Sequence, residues 1–527
     1  MSFQVHSKDL LGRIGTIKTK SGAFATPHMF PVLDPNSQTL PRTFFDRVGI
    51  NAIMTNAYLL GRARRGKEPR DVHMILDYDR TIATDSGAYQ ILEYGEVGVK
   101  PGEIIDYQEK INTDIGVILD VPTGFRSSPD RARWTVDETV RRADKALQLI
   151  TRKDILWVGP VQGGVYLKEV QRSAVEMSKR DFPIYALGSP TELMETQRYD
   201  VLVDMIVAAK QALPPDKPFH LFGAGHPALF PFLVALGCDL FDSAAYALYA
   251  RTGRYLTPEG TLLLGDMVEF ACPCPACVDT NPREVMRSEP AAREMLLVEH
   301  NLWACFSELR RAREAIRKGR LWELLELRAY AHPSMKKCFA RMCEYANILE
   351  RFTPAVKPHG IFFYGEATDF RPENVRYRSK LSSAAVETSR LILLLPGRWR
   401  RPFHNDPRYE SVAKAFENQK KVSICFYSIS YGPVPIELDE TFPIAQTESV
   451  DPQETRLYKS RAQAVVEFVK DLSPSSVVLV SESDYGQILE KEISKAFPRR
   501  KISVLAAEGS KPESLIRAIK KKLVNLS

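Results

Sequence analysis

Three cysteines lie close together in the sequence, and one histidine follows them on a stretch with helical character: Cys272, Cys274, Cys277 and His300. Three thiolates and one imidazole complete the tetrahedral shell that zinc prefers, and they leave no ligand position for water. The pattern therefore predicts a structural Zn2+ ion rather than a catalytic one. Cys305 lies on the same predicted helix and is an alternative fourth ligand, and a chance cluster of buried thiols is the alternative to a metal site.

Two aspartates stand where short apolar runs end. Asp85 lies in Thr-Asp-Ser-Gly-Ala-Tyr-Gln, and Asp242 lies in Phe-Asp-Ser-Ala-Ala-Tyr. Retaining glycosyl transfer needs such a pair, because one carboxylate attacks the anomeric carbon and the other transfers the proton of the departing group. Taken singly, an aspartate at the end of a strand is more often the N-cap of the next helix.

Further candidates for ligand binding are polar, small or aromatic residues near the ends of other apolar runs: Asp120, Gln162, Gly188, Ser189, Tyr89 and Phe222. Asp120 can accept hydrogen bonds from the N1-H and the exocyclic amine of a purine. Gln162 and the backbone at Gly188 and Ser189 can bring amide donors to a flat ligand, and the two aromatic residues can stack on it. Turns for the polar residues and core packing for the aromatic ones are the alternatives.

The runs that precede these residues predict the fold. Each run is short and apolar enough to be a buried parallel strand, and helix-like segments such as 136–150 lie between them. Alternating strands and helices predict an α/β protein, and this many repeats favour a (β/α)8 TIM barrel, with an open doubly wound sheet as the alternative. Functional residues of a barrel gather at the carboxyl ends of its strands. The runs are residues 52–54, 81–84, 117–119, 155–161, 184–187, 219–222 and 240–241.

Beyond the barrel, the composition changes. A long helix over 293–318 and a second over 321–329 are followed by proline-punctuated strands, a loop at 431–435 and a run of alternating helices and strands. We therefore expect three domains. These are a catalytic barrel at 1–340 with a zinc-binding subdomain at about 265–320, a smaller α+β domain at 345–435 and a small α/β domain at 436–527.

Composition limits the class of protein. The chain has 527 residues, of which 44% are hydrophobic, enough for several cores. It has neither a long apolar run nor a signal-like start, so we expect a cytoplasmic protein with no membrane contact. Eight cysteines are too few for a disulfide scaffold of this length. The net charge of +7 weakly favours a polyanionic partner.

Six motifs in order resemble the tRNA-guanine transglycosylases, and more closely their archaeal branch. The resemblance covers residues 5–335, and residues 431–442 are similar to a segment found beyond the barrel in archaeal members. The matching motifs are Asp-Ser-Gly-Ala-Tyr-Gln (85–90), Leu-Asp-Val-Pro-Thr (119–123), Val-Gln-Gly-Gly (161–164), Ala-Leu-Gly-Ser-Pro (186–190), Phe-Asp-Ser-Ala-Ala-Tyr (241–246), and the three cysteines with His-Asn (300–301).

The resemblance implies a (β/α)8 barrel that replaces a guanine in tRNA by a 7-deazaguanine, without ATP or a redox cofactor. By position, Asp242 would attack C1′ of the nucleotide and Asp85 would act as general acid and base, although these two roles could be exchanged. Asp120 would bind the N1/N2 edge of the base. Gln162 and the backbone of Gly188 and Ser189 would face O6, Tyr89 and Phe222 would stack on the two faces, and the predicted Zn2+ would be structural.

Archaeal members of the family act on position 15 in the D arm and insert preQ0, 7-cyano-7-deazaguanine, in archaeosine biosynthesis. They typically end in an RNA-binding PUA module, and we expect none within 436–527. A separate PUA-domain protein or the second subunit of a dimer would supply the missing contact with tRNA. Barrel enzymes of this family usually pair through the region near the zinc site, so the resemblance also implies a homodimer. Three alternatives are an archaeosine-synthase-like paralogue, a non-catalytic tRNA-binding accessory subunit and a zinc-stabilised barrel hydrolase. The first two predict losses among the aspartates or zinc ligands, and the third predicts histidines at strand ends.

Overall fold

The computed structural model describes residues 2–34, 42–63, 68–88, 100–383, 390–398, 400–416, 419, 421–449, 455–506 and 511–524. The chain divides into two compact units, Met1–Tyr345 with Arg351–Pro354 and Ala346–Glu350 with Ala355–Ser527. Within the described residues, no helix combines the length and the apolar character that crossing a bilayer requires.

Strands β1–β13 and helices α1–α14 belong to the first unit. The strands are β1 Phe3–Asp9, β2 Gly12–Thr19, β3 Gly22–Thr26, β4 His28–Pro31, β5 Ala52–Asn56, β6 Thr81–Asp85, β7 Ile115–Val117, β8 Leu156–Val161, β9 Ile184–Leu187, β10 Phe219–Leu221, β11 Leu240–Ser243, β12 Arg254–Thr257 and β13 Gly260–Leu263. The helices are α1 Arg42–Val48, α2 Ala57–Ala63, α3 Val72–Leu76, α4 Pro101–Lys110, α5 Pro129–Leu149, α6 Leu167–Ser178, α7 Thr191–Glu195, α8 Tyr199–Lys210, α9 Phe230–Ala235, α10 Ala245–Arg251, α11 Pro282–Arg287, α12 Pro290–Arg317, α13 Leu321–Ala329 and α14 Pro333–Cys343.

Eight parallel strands of the first unit form one sheet in the order β4-β11-β10-β9-β8-β7-β6-β5. A parallel bridge between Val32 and Met54 joins its two ends, so the sheet closes on itself. The predicted (β/α)8 barrel is therefore confirmed. Apolar side chains from most of its strands fill the interior, among them Phe30, Ala83 and Val158, which is the layered packing that such barrels use.

The amino-terminal end of the barrel is held by a buried ion pair. Arg13 of β2 donates from Nε and Nη2 to the two carboxylate oxygens of Asp239, at 2.8 and 2.7 Å. Asp239 also accepts the backbone N-H of Phe219, the first residue of β10. A paired carboxylate and guanidinium satisfy each other in a fork geometry. The contact fixes the starts of β10 and β11, the two strands that lead into the candidate site.

The remaining elements complete the chain. They are α15 Ala346–Phe352, β14 Ile361–Phe363, α16 Pro372–Ser383, β15 Leu391–Gly397, α17 Glu410–Phe416, β16 Val422–Ser428, β17 Gly432–Pro435, β18 Thr447–Ser449, α18 Thr455–Leu472, β19 Ser476–Ser481, α19 Ser483–Ala496, β20 Ile502–Ala506 and α20 Pro512–Val524.

A five-stranded sheet in the order β17-β16-β15-β19-β20 forms the centre of the second unit. The loop predicted at 431–435 is wrong, because β17 pairs antiparallel with β16 there. Its two prolines are tolerated since β17 is an edge strand, which needs no donor on its outer side. Strands on both sides of the predicted domain boundary at 435/436 belong to this one sheet.

Candidate active site and metal site

Three aspartates occupy the carboxyl ends of barrel strands, and we call them the carboxylate cluster. Asp85 is the last residue of β6, Asp242 lies in β11, and Asp120 follows the end of β7. The charges of Asp242 and Asp120 both act on Asp85. Parallel strands in a barrel end at the same face, so residues far apart in the sequence meet there.

Asp85 is set up for proton transfer. Its Oδ2 accepts a hydrogen bond from Asn56 Nδ2 at 3.0 Å. Burial and the neighbouring charges of Asp242 and Asp120 raise the pKa of Asp85 to about 7, and the backbone N-H groups of Gly87 and Ser86 offset part of that rise. A carboxyl group with a pKa near neutrality can both donate and accept a proton in one catalytic cycle.

Asp242 has two hydrogen bonds at a single oxygen. Its Oδ1 lies 2.9 Å from His220 Nε2 and accepts the backbone N-H of Gly223 at 3.1 Å. The His220 side chain is 2% exposed, whereas that of Asp242 is 16% exposed. Sequence reasoning missed His220, which stands in the middle of β10. A buried polar side chain needs a partner, so a histidine inside an apolar strand was a usable signal.

Asp120 and Gln162 form the centre of a second network. Gln162 Nε2 donates to Asp120 Oδ2, and Gln162 Oε1 accepts from the backbone N-H of Thr123 at 3.0 Å and from Ser189 Oγ at 2.9 Å. Burial raises the pKa of Asp120 to about 6, against the opposing effect of the Gln162 hydrogen bond. Gln162 Nε2 carries a second hydrogen, which none of the described residues accepts. The amide therefore keeps one donor for a ligand.

The chain at Gly188 and Ser189 runs directly against Gln162. A Cβ atom added at Gly188 would lie 2.1 Å from Gln162 Nε2, well inside contact distance. Ser189 has a left-handed backbone conformation with φ of 65°, which costs free energy for a residue with a side chain. This segment brings its backbone close to the amide, and glycine is the residue that permits it.

The two predicted stacking residues have different outcomes. Phe222 directly follows β10 and is half-buried, with its ring 4.7 Å from the His220 ring at an angle of 70°. Tyr89 lies outside the described residues. The predicted stacking of a base between Phe222 and Tyr89 therefore stays a prediction.

The predicted metal ligands come together, and we call them the metal-ligand cluster. The ligand atoms of its four members all lie within 4.8 Å of one another. His300 Nδ1 is 3.5 Å from Cys274 Sγ and 3.4 Å from Cys277 Sγ. Cys305, the alternative ligand, instead donates from Sγ to the carbonyl oxygen of Gly225 at 3.3 Å. The members of the cluster are Cys272, Cys274, Cys277 and His300.

Neighbouring groups orient the cluster. His300 Nε2 lies 2.9 Å from the carbonyl oxygen of Leu256, so Nε2 carries the proton and Nδ1 presents its lone pair to a metal ion. The Tyr255 ring stacks on the His300 ring at 3.4 Å. Asn301 binds the Leu256 N-H and the Tyr246 carbonyl oxygen, which ties α12 to β12 and to α10. Three soft thiols and one oriented imidazole fit a tetrahedral metal ion such as zinc.

The sequence is similar to those of proteins from several organisms. The sequence profile of the family described as Queuine tRNA-ribosyltransferase matches residues 8–334. Three similar proteins are each named tRNA-guanine(15) transglycosylase. The protein from Pyrobaculum aerophilum is 40% identical over 85% of this chain and 90% of its own length. The protein from Sulfolobus acidocaldarius is 36% identical over 91% of this chain and 95% of its own length. The protein from Methanococcus aeolicus is 37% identical over 85% of this chain and 69% of its own length. The chain therefore belongs to the tRNA-guanine transglycosylase family.

Proposed function

We propose that this enzyme exchanges guanine at position 15 in the D arm of tRNA for the 7-deazaguanine preQ0. Its relatives are named tRNA-guanine(15) transglycosylase, which supports exchange of guanine at that position. The observation that carries the proposal is the carboxylate cluster. Two of its members, Asp85 and Asp242, interact electrostatically at one barrel mouth while each keeps its own hydrogen-bond partners. That is the arrangement a nucleophile and a general acid need.

In the first half of the reaction, a carboxylate oxygen of Asp242 attacks C1′ of the nucleotide. The C1′–N9 bond breaks, its electron pair passes to the guanine, and Asp85 gives its proton to the departing base. The products are free guanine and an ester between the ribose and Asp242. A pKa of about 7 keeps a large fraction of Asp85 protonated at neutral pH, which supports its role as the acid.

In the second half, Asp85 is the base. It takes the N9 proton of the incoming preQ0, N9 forms a bond with C1′, and the ester bond to Asp242 breaks. The carboxylate of Asp242 is regenerated and Asp85 is protonated again. The ester preserves the energy of the glycosidic bond, so the exchange needs no separate energy source. The target base must leave the tRNA stack to reach aspartates at the mouth of a barrel.

The second network suits the guanine-like edge that the outgoing and incoming bases share. Asp120 accepts the N1-H and the exocyclic amine, while the second hydrogen of Gln162 Nε2 and the backbone of Gly188 and Ser189 donate to O6. Burial of Asp120 supports this role, because adenine would leave a buried acceptor without a donor. Unpaired buried groups reject the wrong substrate strongly. Phe222 stacks on one face of the base.

The metal-ligand cluster binds one structural Zn2+ per chain in this proposal. Its four protein donors fill a tetrahedral shell, which leaves the ion no position for substrate.

We further propose that the enzyme acts in the cytoplasm as a homodimer. A separate PUA-domain protein or the second subunit contributes to tRNA binding. The mass of the enzyme in solution tests the homodimer, and modification of tRNA by the purified monomer at full rate and affinity would contradict the need for a further contact.

The proposed function is tested by supplying the purified enzyme with tRNA transcripts and labelled bases. Guanine, preQ0 and a lysine-bearing derivative of preQ0 are compared, and a transcript with adenine at position 15 is the control. We expect label from preQ0 in the guanine-15 transcript alone, mapped to that nucleotide by mass spectrometry of nuclease fragments. Label at another position, or incorporation of none of the three bases, would overturn the proposal.

A further inference from the structure

The two oxygens of Asp242 have different surroundings. Oδ1 accepts from the His220 ring and from the backbone N-H of Gly223, whereas no described residue donates a hydrogen bond to Oδ2. We propose that His220 is a positioning residue that holds Asp242 with Oδ2 as the attacking oxygen. This inference rests on the proposed function, in which Asp242 is the nucleophile, and it adds a residue to the reaction that the sequence motifs do not contain.

The chemistry of the pair fixes the tautomer of His220. A carboxylate oxygen only accepts hydrogen bonds, so His220 Nε2 carries the proton. The donor is therefore a fixed N-H aimed at one oxygen. The two oxygens of a carboxylate are equivalent, so a rotation that exchanged them would leave the same arrangement. One oxygen would accept both hydrogen bonds and the other would face the substrate.

Packing keeps the His220 ring in place. The ring has two aromatic neighbours, Phe30 at 5.6 Å and Phe222 at 4.7 Å between ring centroids. His220 is on β10 and pairs in register with Leu240 of β11 and Ala186 of β9. A rigid strand and two rings leave the imidazole little freedom, so the position of Asp242 is set before substrate binds. Preorganisation of this kind contributes to rate because the reacting atoms need not be reoriented.

The same hydrogen bonds serve both halves of the reaction. When Oδ2 forms the ester, Oδ1 becomes its carbonyl oxygen and keeps the His220 and Gly223 donors. When the ester breaks, the returning negative charge is shared with Oδ1, where two N-H groups already point. Donors placed where charge develops stabilise the transition state. Loss of the His220 donor should therefore lower the rates of ester formation and breakdown and leave the tRNA affinity unchanged.

Three variants test the inference. His220→Phe keeps a ring and removes the donor, and His220→Gln replaces the ring by an amide donor. His28→Phe is the matched control, because His28 is another buried barrel histidine whose Nε2 bonds to the carbonyl oxygen of Ala52 and to no carboxylate. Thermal unfolding gives the folded fraction of each variant, to which the rates are normalised.

The measurement is the single-turnover rate of covalent adduct formation between enzyme and tRNA, with tRNA affinity measured in parallel. We expect His220→Phe to slow adduct formation about 10- to 100-fold, as for the loss of a hydrogen bond to a charged group. His220→Gln should recover most of that loss, and His28→Phe should stay within about threefold of the unchanged enzyme.

Two results would overturn the inference while leaving the proposed function intact. One is an adduct rate for His220→Phe equal to that of the unchanged enzyme, and the other is a His220→Gln variant as slow as His220→Phe. A different result separates the two claims. If the unchanged enzyme forms no adduct on Asp242, the proposed nucleophile is wrong and the positioning role falls with it.

Discussion

The carboxylate cluster and the metal-ligand cluster are both largely buried groups of ionisable side chains in the barrel unit, and they differ in how fully their bonding is satisfied. In the metal-ligand cluster, four donors surround one point and the His300 ring is fixed by Leu256 and Tyr255. In the carboxylate cluster, burial and the neighbouring negative charges raise the pKa of Asp85. Burial also raises the pKa of Asp120. A metal site whose ligand positions are all filled by the protein stabilises a fold, whereas carboxyl groups with strongly shifted pKa values are typical of catalytic sites.

Replacing the proposed nucleophile should have the largest effect on the rate of exchange. In the proposed mechanism Asp242→Ala removes the atom that bonds to C1′, and we expect a loss of roughly 10^4-fold or more. Base exchange and trapping of the covalent RNA adduct both measure it. Thermal unfolding serves as the control, because the variant should remain folded. Normal incorporation of preQ0 by Asp242→Ala would place the chemistry elsewhere.

A methyl group at Gly188 should have the next largest effect. Gly188→Ala would put a carbon 2.1 Å from Gln162 Nε2, so the amide must leave the position in which it donates to Asp120. We expect kcat/KM for the incoming base to fall roughly 10^2-fold, since small displacements in a binding site have costs of that order. Gly265→Ala is the matched control, because no atom lies within 4 Å of its added carbon. Equal kinetics for the two variants would contradict the assigned contact.

The pH dependence of adduct formation should show a smaller effect. In the proposed mechanism Asp85 is the acid of the first half, so the rate should be constant below its pKa of about 7 and fall about tenfold per pH unit above it. Rapid quenching of single-turnover reactions across this range gives the profile. Asp85→Asn should be slow at every pH and lack this slope. A slope that persisted in Asp85→Asn would assign the proton to another group.

Loss of a metal ligand should affect the chemical rate least and stability most. Cys277→Ser removes one thiolate, and we expect the loss of bound metal and of at least about 3 kcal/mol of unfolding free energy, because metal-binding energy contributes to folding. Cys305→Ser is the control, since Cys305 is a buried thiol outside the cluster. The folded fraction of Cys277→Ser should form adduct within about threefold of the unchanged enzyme. A folded, metal-free protein of unchanged stability would refute the structural role.

The sequence predicted the barrel because its runs repeat with a strong and regular apolar pattern, and most of those strands are present, as at Thr81–Asp85 and Ile184–Leu187. It missed β4, His28–Pro31, which closes the barrel. That strand has four residues, begins with a histidine and ends with a proline, so its pairing comes from the neighbouring β11 rather than from its own pattern.

Within the site, motifs identified the side chains at strand ends but not the residues that orient them. Asn56 contacts Asp85 and His220 contacts Asp242, and each lies on a strand adjacent to that of its aspartate. Which side chains face each other across two strands depends on the register of the sheet, and a one-residue shift reverses the face. Sequence spacing alone does not contain that register.

The central claim, that the carboxylate cluster does the chemistry and Asp242 is its nucleophile, is tested most directly by locating the covalent bond to RNA. Enzyme and tRNA are mixed without incoming base, denatured and digested, and the ribose-bearing peptide is sequenced by mass spectrometry. We predict that the modified residue is Asp242. Attachment at Asp85 would exchange the two roles, and attachment at any other residue would contradict the account.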